Sequence, residues 1–77
     1  MKVYFDYDAD ESIRFEGYEP KLVKKFIENE INNLGIEPDI DFQTYLNFNG
    51  KEVSILGSHH GNYIYIRHVI FVIIRAK

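Results

Sequence analysis

The chain has 77 residues, no cysteine and a formal net charge of −3 at pH 7, with 45% hydrophobic and 27% charged residues. This composition is typical of one globular domain spanning residues 1–77, and it excludes a disordered chain, a disulfide framework and any zinc site built on cysteine. No apolar run approaches the roughly 20 residues that a membrane-spanning helix needs, and the N-terminus does not resemble a signal peptide, so we expect a cytoplasmic protein without a membrane contact.

At the N-terminus, residues 2–8 (KVYFDYD) alternate between apolar and polar side chains, which predicts a strand with one buried face. The alternation returns at Ile13 and Phe15 in residues 12–16 (SIRFE), after a short polar turn. The two segments therefore predict a β-hairpin that ends at Gly17.

The clearest helical pattern lies between Pro20 and Gly35. Proline suits the first position of a helix, where its missing N–H would have no partner, and glycine suits the left-handed position just after a helix end. The apolar residues between them recur at helical spacing and predict one buried stripe. This stripe consists of Leu22, Val23, Phe26, Ile27, Ile31 and Leu34.

Two further strands are predicted around a tight turn. Residues 39–48 (DIDFQTYLNF) alternate between apolar and polar side chains. Asn49-Gly50 follows them and is the strongest short signal for a hairpin turn, because both residues tolerate a positive φ. Residues 51–56 (KEVSIL) then return as the partner strand.

The C-terminal part of the chain predicts one more strand. Residues 57–62 (GSHHGN) form a turn in this interpretation, and the stretch from Tyr63 to about Arg75 is rich in β-branched and aromatic residues. The predicted order is ββαβββ, which places the chain in the α+β class, with a mostly antiparallel sheet and one helix packed on one face.

This last strand is predicted to be apolar on both faces. One face would carry Ile64, Ile66, Ile70, Val72 and Ile74, and the other Tyr63, Tyr65, Val69, Phe71 and Ile73. A single helix covers one face, so the second face needs a curled sheet, a second copy or a different protein as its cover. We expect the tyrosine face to be open, because tyrosine and Arg67 tolerate water better than isoleucine, and we expect His68 to point inward.

The acidic N-terminal cluster and the tyrosine face together favour a non-catalytic protein-interaction protein. It would form a homodimer through the C-terminal strand or bind a larger partner protein. The most specific version is a phage-type or mobile-element inhibitor of a nucleic-acid-handling enzyme, in which the acids imitate phosphate groups. The expected partner-binding residues are Tyr4, Asp6, Asp8, Asp10, Glu11, Tyr45, Tyr63, Tyr65, Arg67 and Phe71. Catalytic residues, a metal and a cofactor are not expected, since no motif organises them.

Two alternatives stay open. Tyr63, Tyr65 and Arg67 share a strand face, and aromatic side chains beside an arginine stack bases in several nucleic-acid-binding modules. The net negative charge opposes this interpretation, because phosphate contacts supply most nucleic-acid affinity. A small metal-binding enzyme could use His59 and His60, but adjacent residues of an extended chain point to opposite faces, and a metal site usually needs three or four ligands.

Overall fold

The computed structural model describes residues 1–72, which form two helices and a four-stranded sheet. The elements in chain order are β1 (Lys2–Phe5), α1 (Tyr7–Phe15), α2 (Pro20–Leu34), β2 (Ile40–Phe48), β3 (Lys51–His60) and β4 (Tyr63–Val72). The sheet order is β1-β4-β3-β2, in which β1 and β4 are parallel and the other pairs are antiparallel. The α+β class and the mostly antiparallel sheet are therefore confirmed, while the predicted extension of the last strand to Arg75 lies outside the described residues.

Helix α1 replaces the second predicted strand. Ala9 and Ile13 stand four positions apart, so a helix places both on one face, and both are fully buried. Phe15, which the alternating pattern placed beside Ile13, is 91% exposed. The acids of the first turn and Arg14 in the last turn also complement the helix dipole. A pair of apolar residues at spacing two was too short a pattern to distinguish a strand from a helix.

Helix α2 begins and ends as predicted. Pro20 occupies the first turn, and Gly35 adopts a left-handed conformation with φ 64° just after the last turn. The buried stripe is narrower than predicted, because Leu22 and Leu34 are exposed. The fully buried residues of the helix are Val23, Ile27 and Ile31, spaced at four-residue intervals.

Two tight turns set the register of the antiparallel strands. Asn49 and Gly50 adopt positive φ values of 51° and 84°, and the turn pairs Phe48 with Lys51. The second turn is shorter than predicted, because β3 continues through His60, which pairs directly with Tyr63. Since side chains alternate along a strand, these two pairings decide which residues of β2, β3 and β4 share a face.

Both helices pack on the same side of the sheet, here called the helix face. They contribute to one core cluster together with alternate residues of the strands. The cluster consists of Ala9, Ile13, Val23, Ile27, Ile31, Leu46, Val53, Ile55, Ile64, Ile66 and Val69. The opposite side, here called the open face, is not covered by either helix.

Strand β4 lies inside the sheet. It pairs with β3 along its length, β1 pairs with Tyr63–Ile66 on its other side, and α1 contacts it as well. Tyr63–Ile66 therefore offers no free edge to a second copy, so a dimer cannot form by strand pairing at this part of the C-terminal strand. Within residues 1–72, β1 and β2 are the two edge strands, and β2, with nine residues against four, has the longer unpaired side.

A β-bulge interrupts β4 at Arg67. Ile66 pairs with Gly57 and His68 pairs with Leu56, so Arg67 is an extra residue without a partner on β3. The bulge reverses the alternation of all later side chains in the strand. Val69 therefore joins the core, where it is 1% exposed, and Ile70 lies on the open face. The strict alternation that the sequence suggested is wrong for this reason between Arg67 and Val72, and its continuation to Ile74 lies outside the described residues.

Gly57 allows the strands to approach each other at the bulge. A Cβ atom at this position would lie 2.5 Å from the backbone oxygen of Tyr65 and 2.8 Å from Cζ of Phe42. The first of these atoms belongs to the backbone and cannot move away without shifting β4. The site therefore has no room for a side chain.

We expect Gly57→Ala to lower the free energy of unfolding by about 1–3 kcal/mol, because the added methyl group overpacks the sheet. The measurement is urea unfolding followed by far-UV circular dichroism. Lys25→Ala, at an exposed position of α2, is the control and should change stability by less than about 0.5 kcal/mol. Equal stability of the two variants would contradict the close approach at Gly57.

Candidate functional site

The open face is the candidate site, because it presents large side chains that neither helix covers. Aromatic, apolar and charged groups occur together on it, at alternate positions of the strands and at the bulge. Its prominent exposed residues are Tyr4, Tyr45, Tyr63, Tyr65, Arg67, His68 and Ile70. This mixture differs from the solvated polar face that an antiparallel sheet usually turns to water.

Three tyrosines, Tyr4, Tyr63 and Tyr65, form a tyrosine cluster on β1 and β4. The parallel register places Tyr4 opposite Tyr65 and Lys2 opposite Tyr63, so side chains from distant parts of the sequence meet. The three pairs of ring centroids are 5.2–5.8 Å apart, and two of the pairs are edge-to-face. Each tyrosine remains about two-fifths exposed, at 38–43%. The cluster is thus a packed aromatic patch that still contacts solvent.

A polar pocket lies beside the tyrosine cluster, on the part of the open face where β2, β3 and β4 meet. It has a volume of about 250 Å³, and Asp41, Ser58, Arg67 and His68 supply its polar groups. Phe42, Leu56 and Gly57 complete the lining, so more of it is apolar than polar. Ser58 is 1% exposed, and its hydroxyl donates a 2.7 Å hydrogen bond to Oδ1 of Asp41. This hydroxyl proton points to a carboxylate rather than to an imidazole, so the arrangement differs from an activated serine nucleophile.

Arg67 is a cation of this surface, as is Lys2, whose Nζ lies 5.8 Å from the ring centroid of Tyr4. The bulge holds Arg67 at the border between the tyrosine cluster and the polar pocket. Its guanidinium forms no ion pair with another residue in the range 1–72. As far as the described residues go, its hydrogen-bond donors are therefore available to an external carboxylate or carbonyl group.

Tyr45 lies on the same face but on β2, at the margin of the sheet. It is 57% exposed, and its hydroxyl accepts a 3.2 Å hydrogen bond from the Gln43 side-chain amide. The same amide donates to the hydroxyl of Ser54 at 3.2 Å. Strand β3 lies between Tyr45 on β2 and the tyrosine cluster on β1 and β4, so Tyr45 belongs to a different part of the surface.

Three of the four predicted acidic residues, Asp8, Asp10 and Glu11, do not share a surface with the tyrosines. Asp6 precedes α1, and its backbone N–H donates to the Ile66 carbonyl at 2.9 Å, next to the bulge. Asp8, Asp10 and Glu11 belong to α1, which packs on the helix face. The combined acidic and tyrosine-rich surface expected from the sequence is therefore divided between the two sides of the sheet.

Asp10 is also neutralised within the chain. Its carboxylate pairs with Lys24 of α2 and lies 3.4 Å from Nε of Arg14. The hydrogen bond from Lys24 is the main reason that the pKa of Asp10 lies below its usual value of 3.8. This carboxylate is therefore occupied in joining α1 to α2.

Two expected side-chain positions on β4 are corrected by the bulge. Phe71 was expected on the open face, but it is half-buried against the core and stacks on Tyr18 with ring centroids 5.3 Å apart. His68 was expected to point inward, but it is exposed and lines the polar pocket. Both corrections follow from the extra residue at Arg67.

His59 has a structural position rather than an exposed one. It is 3% exposed, and its Nδ1 lies 2.8 Å and 3.0 Å from the carbonyl oxygens of Ile36 and Glu37. Its Nε2 lies 3.2 Å from the carbonyl oxygen of Gly61. The ring therefore joins the segment before β2 to the turn between β3 and β4. His60 is exposed and points to the opposite side of the sheet.

Comparisons with known proteins add no assignment. No protein family matches the sequence, and no curated protein or solved structure is significantly similar to it. Within residues 1–72, no three His, Cys, Asp or Glu side chains are close enough together to hold a metal ion. No helix in this range is long and apolar enough to cross a membrane. The surface chemistry of the sheet is therefore the basis for a functional proposal.

Sequence reasoning missed four residues of this site. Asp41 and Ser58 pair across β2 and β3, and this pairing could have been found by counting outward from the Asn49-Gly50 turn. The positions of His68 and Ile70 on the open face depend on the bulge in β4, and no residue pattern in that strand predicts the bulge. The missed residues are Asp41, Ser58, His68 and Ile70.

We expect His59→Ala to lower the free energy of unfolding by about 2 kcal/mol, because a buried side chain is removed and partly buried carbonyl groups lose their hydrogen-bond donor. His60→Ala is the matched control and should change stability by less than about 0.5 kcal/mol. Urea unfolding at neutral pH measures both variants. Similar losses for the two substitutions would contradict the structural position of His59.

The Asp10 ion pairs should make stability depend on pH. Because the folded-state pKa is lowered, the contribution is present above the usual value of 3.8 and is lost as the pH falls through the lowered pKa. We expect Asp10→Asn to reduce stability at pH 7 by less than about 1 kcal/mol and to match the parent chain in strong acid. Urea unfolding across this range, with Asp8→Asn as the charge-matched control, tests the prediction. An equal pH dependence of the two variants would contradict it.

Proposed function

We propose that the chain is a non-catalytic protein-interaction protein that binds a partner protein through the open face of its sheet. The observation that carries this proposal is the tyrosine cluster, which is packed and partly exposed beside the cation of Arg67. Tyrosine and arginine are enriched among the residues that dominate binding energy at protein interfaces. Packed rings also lose little conformational entropy on binding, which favours affinity.

A protein partner fits this surface better than a nucleic acid. The net charge of −3 provides no general attraction for phosphate groups. Two of the three ring pairs in the tyrosine cluster are edge-to-face, so the rings contact each other instead of presenting parallel faces on which bases could stack. Nucleic-acid binding through Tyr63, Tyr65 and Arg67 is therefore the alternative outcome of the test below.

The side chains of the open face indicate which chemical groups the partner would present. An apolar or aromatic group would pack on the tyrosine cluster, where the largest apolar area becomes buried. A carboxylate of the partner would pair with Arg67, which has five N–H donors and no ion pair among the described residues. Asp41 would accept hydrogen bonds from donors that enter the polar pocket.

The phosphate-imitation version of this function would use a second surface. It requires Asp8 and Glu11 on α1, because Asp10 is already paired with Lys24. These acids lie on the helix side of the sheet, whereas the tyrosine cluster lies on the open face. A partner enzyme would need to reach around the sheet to contact both surfaces, so we propose binding through the open face alone.

Site-specific photo-crosslinking tests the proposal. A benzophenone side chain replaces Tyr63 or Tyr65 in purified protein, which is then irradiated in an extract of the cells that produce it. The matched controls carry the same group at Leu22, which is 65% exposed on α2, and at Glu11 on α1. We expect one discrete protein adduct from both tyrosine positions, absent from both controls and lost when Arg67→Ala is added.

Other crosslinking results would show which part of the proposal is wrong. A nuclease-sensitive adduct at the tyrosine positions would establish the nucleic-acid alternative. An adduct at Glu11 alone would transfer the binding surface to the acids of α1. The same adducts from all four positions, or none from the open face, would overturn the proposal.

A further inference from the structure

The outer side of β2 is an unpaired strand edge nine residues long. β2 is the last strand in the sheet order, and no strand formed by residues 1–72 pairs with its outer side. Residues that flank a two-residue turn form a hydrogen-bonded pair, so Phe48 directs its backbone groups toward β3. By alternation, the outward N–H and C=O groups belong to Asp41, Gln43, Tyr45 and Asn47.

This edge lacks the features that normally prevent strands from pairing between molecules. Residues 40–48 contain no proline and no lysine, and their register with β3 has no bulge. Their single charge is Asp41, near one end. The edge at the other margin of the sheet is less suited to pairing. Its strand, β1, has only four residues, and the part of β4 that β1 does not reach is contacted by α1. The edge of β2 is therefore suited to accept another strand.

The sequence of β2 is nearly symmetric about Thr44. Read outward from that residue, IDFQTYLNF has apolar side chains matched by apolar ones and hydrogen-bonding side chains matched by hydrogen-bonding ones at equal distances on both sides. The symmetric positions are Gln43 and Tyr45, Phe42 and Leu46, Asp41 and Asn47, and Ile40 and Phe48. An antiparallel pair of identical strands places these positions opposite each other.

We propose that β2 pairs antiparallel with β2 of a second copy, about a two-fold axis at Thr44, to form a dimer with one continuous sheet. Four strands from each copy would contribute to this sheet. The outward backbone groups of each copy would then form hydrogen bonds with those of the other. A two-fold axis perpendicular to the sheet keeps both helix faces on one side and both open faces on the other.

The opposed side chains in this register are complementary on both faces. On the helix face, Ile40 meets Phe48 of the second copy, and Phe42 meets Leu46. Ile40 is 42% exposed and Phe42 is half-buried in the single chain, so the pairing buries apolar surface that is now in contact with water. Thr44 meets its own copy at the centre.

The open-face pairs avoid repulsion between like charges. Asp41 meets Asn47 of the second copy, which can donate a hydrogen bond to the carboxylate. Gln43 meets Tyr45, a combination that already forms a hydrogen bond within one chain. The two Asp41 side chains lie at opposite ends of the pairing. A centre at any other residue would leave part of the nine-residue strand unpaired and would lose these matches.

A single introduced cysteine tests the register, because the chain has no cysteine of its own. In a non-hydrogen-bonded antiparallel pair the Cα atoms are about 4.5 Å apart, which lies within the range of a disulfide. We expect Thr44→Cys to form an intermolecular disulfide at least about tenfold faster than Tyr45→Cys, whose counterpart lies beyond about 7 Å. Position 45 is the matched control, since Tyr45 is the more exposed of the two residues.

Charge exchange at the same position tests the dimer by a second measurement. Thr44→Lys and Thr44→Glu each place like charges on the two-fold axis, so each variant should sediment as a monomer. An equimolar mixture should restore the dimer, because opposite charges then meet. Thr44→Val, with nearly the same shape, should remain dimeric, and circular dichroism confirms that each variant is folded.

Three results would overturn the proposal. The first is a parent chain that stays monomeric in sedimentation at several hundred micromolar, and the second is a disulfide that forms as fast at position 45 as at position 44. The third is dimerisation of both charged variants on their own. If the charged variants do not fold, the comparison of the two cysteines decides. The proposal does not depend on a partner for the open face, so failure of the crosslinking test leaves it standing.

Discussion

The β-bulge at Arg67 determines which side chains in the second half of β4 face the helices, and it places Val69 in the core and Phe71 against it. β4 lies between β1 and β3, so its face assignment is transmitted to both neighbours. Without the extra residue, Val69 would lie in water and Ile70 would replace it against α1. Gly57 makes the bulge possible, because the backbone of β4 comes too close to that position for a side chain. A strand that reads as apolar on both faces is thereby converted into one with a distinct inner and outer side.

The parts of the fold that follow from local chemistry could be predicted from the sequence. Pro20 and Gly35 mark the ends of α2, and Asn49-Gly50 fixes the hairpin of β2 and β3. The segment of α1 could not be predicted from its sequence. Ile13 and Phe15 are two residues apart, as on one face of a strand, whereas Ala9 and Ile13 are four residues apart, as on one face of a helix. Only packing against the sheet decides between the two. The site was predictable for the tyrosines of β4 and not for its polar pocket, which requires pairing between strands. A bulge is a property of two strands together, so the alternation of one strand cannot reveal it.

The two proposed surfaces occupy opposite margins of the sheet and do not compete. The tyrosine cluster lies on β1 and β4, whereas self-pairing uses β2. In the dimer, five strand intervals of about 4.8 Å would separate the two β4 strands, which places the clusters about 24 Å apart on one face. A partner with two suitable sites at this distance would bind both, and the second contact would form at a high effective concentration. Dimerisation would then raise the strength of partner binding without adding any new contact to the open face.

The parallel pairing of β1 with β4 joins residues that are far apart in the chain, since Lys2 pairs with Tyr63. During synthesis β1 leaves the ribosome early and has no strand to pair with until β4 has followed it. The helices and the β2–β3 hairpin depend on shorter connections and can form sooner. Tyr4 therefore cannot reach its aromatic neighbours Tyr63 and Tyr65 until β4 has been synthesised. A nascent chain that stalls before β4 would lack the proposed partner-binding surface, so partner binding, if it uses the open face as proposed, would require that synthesis has proceeded through this strand.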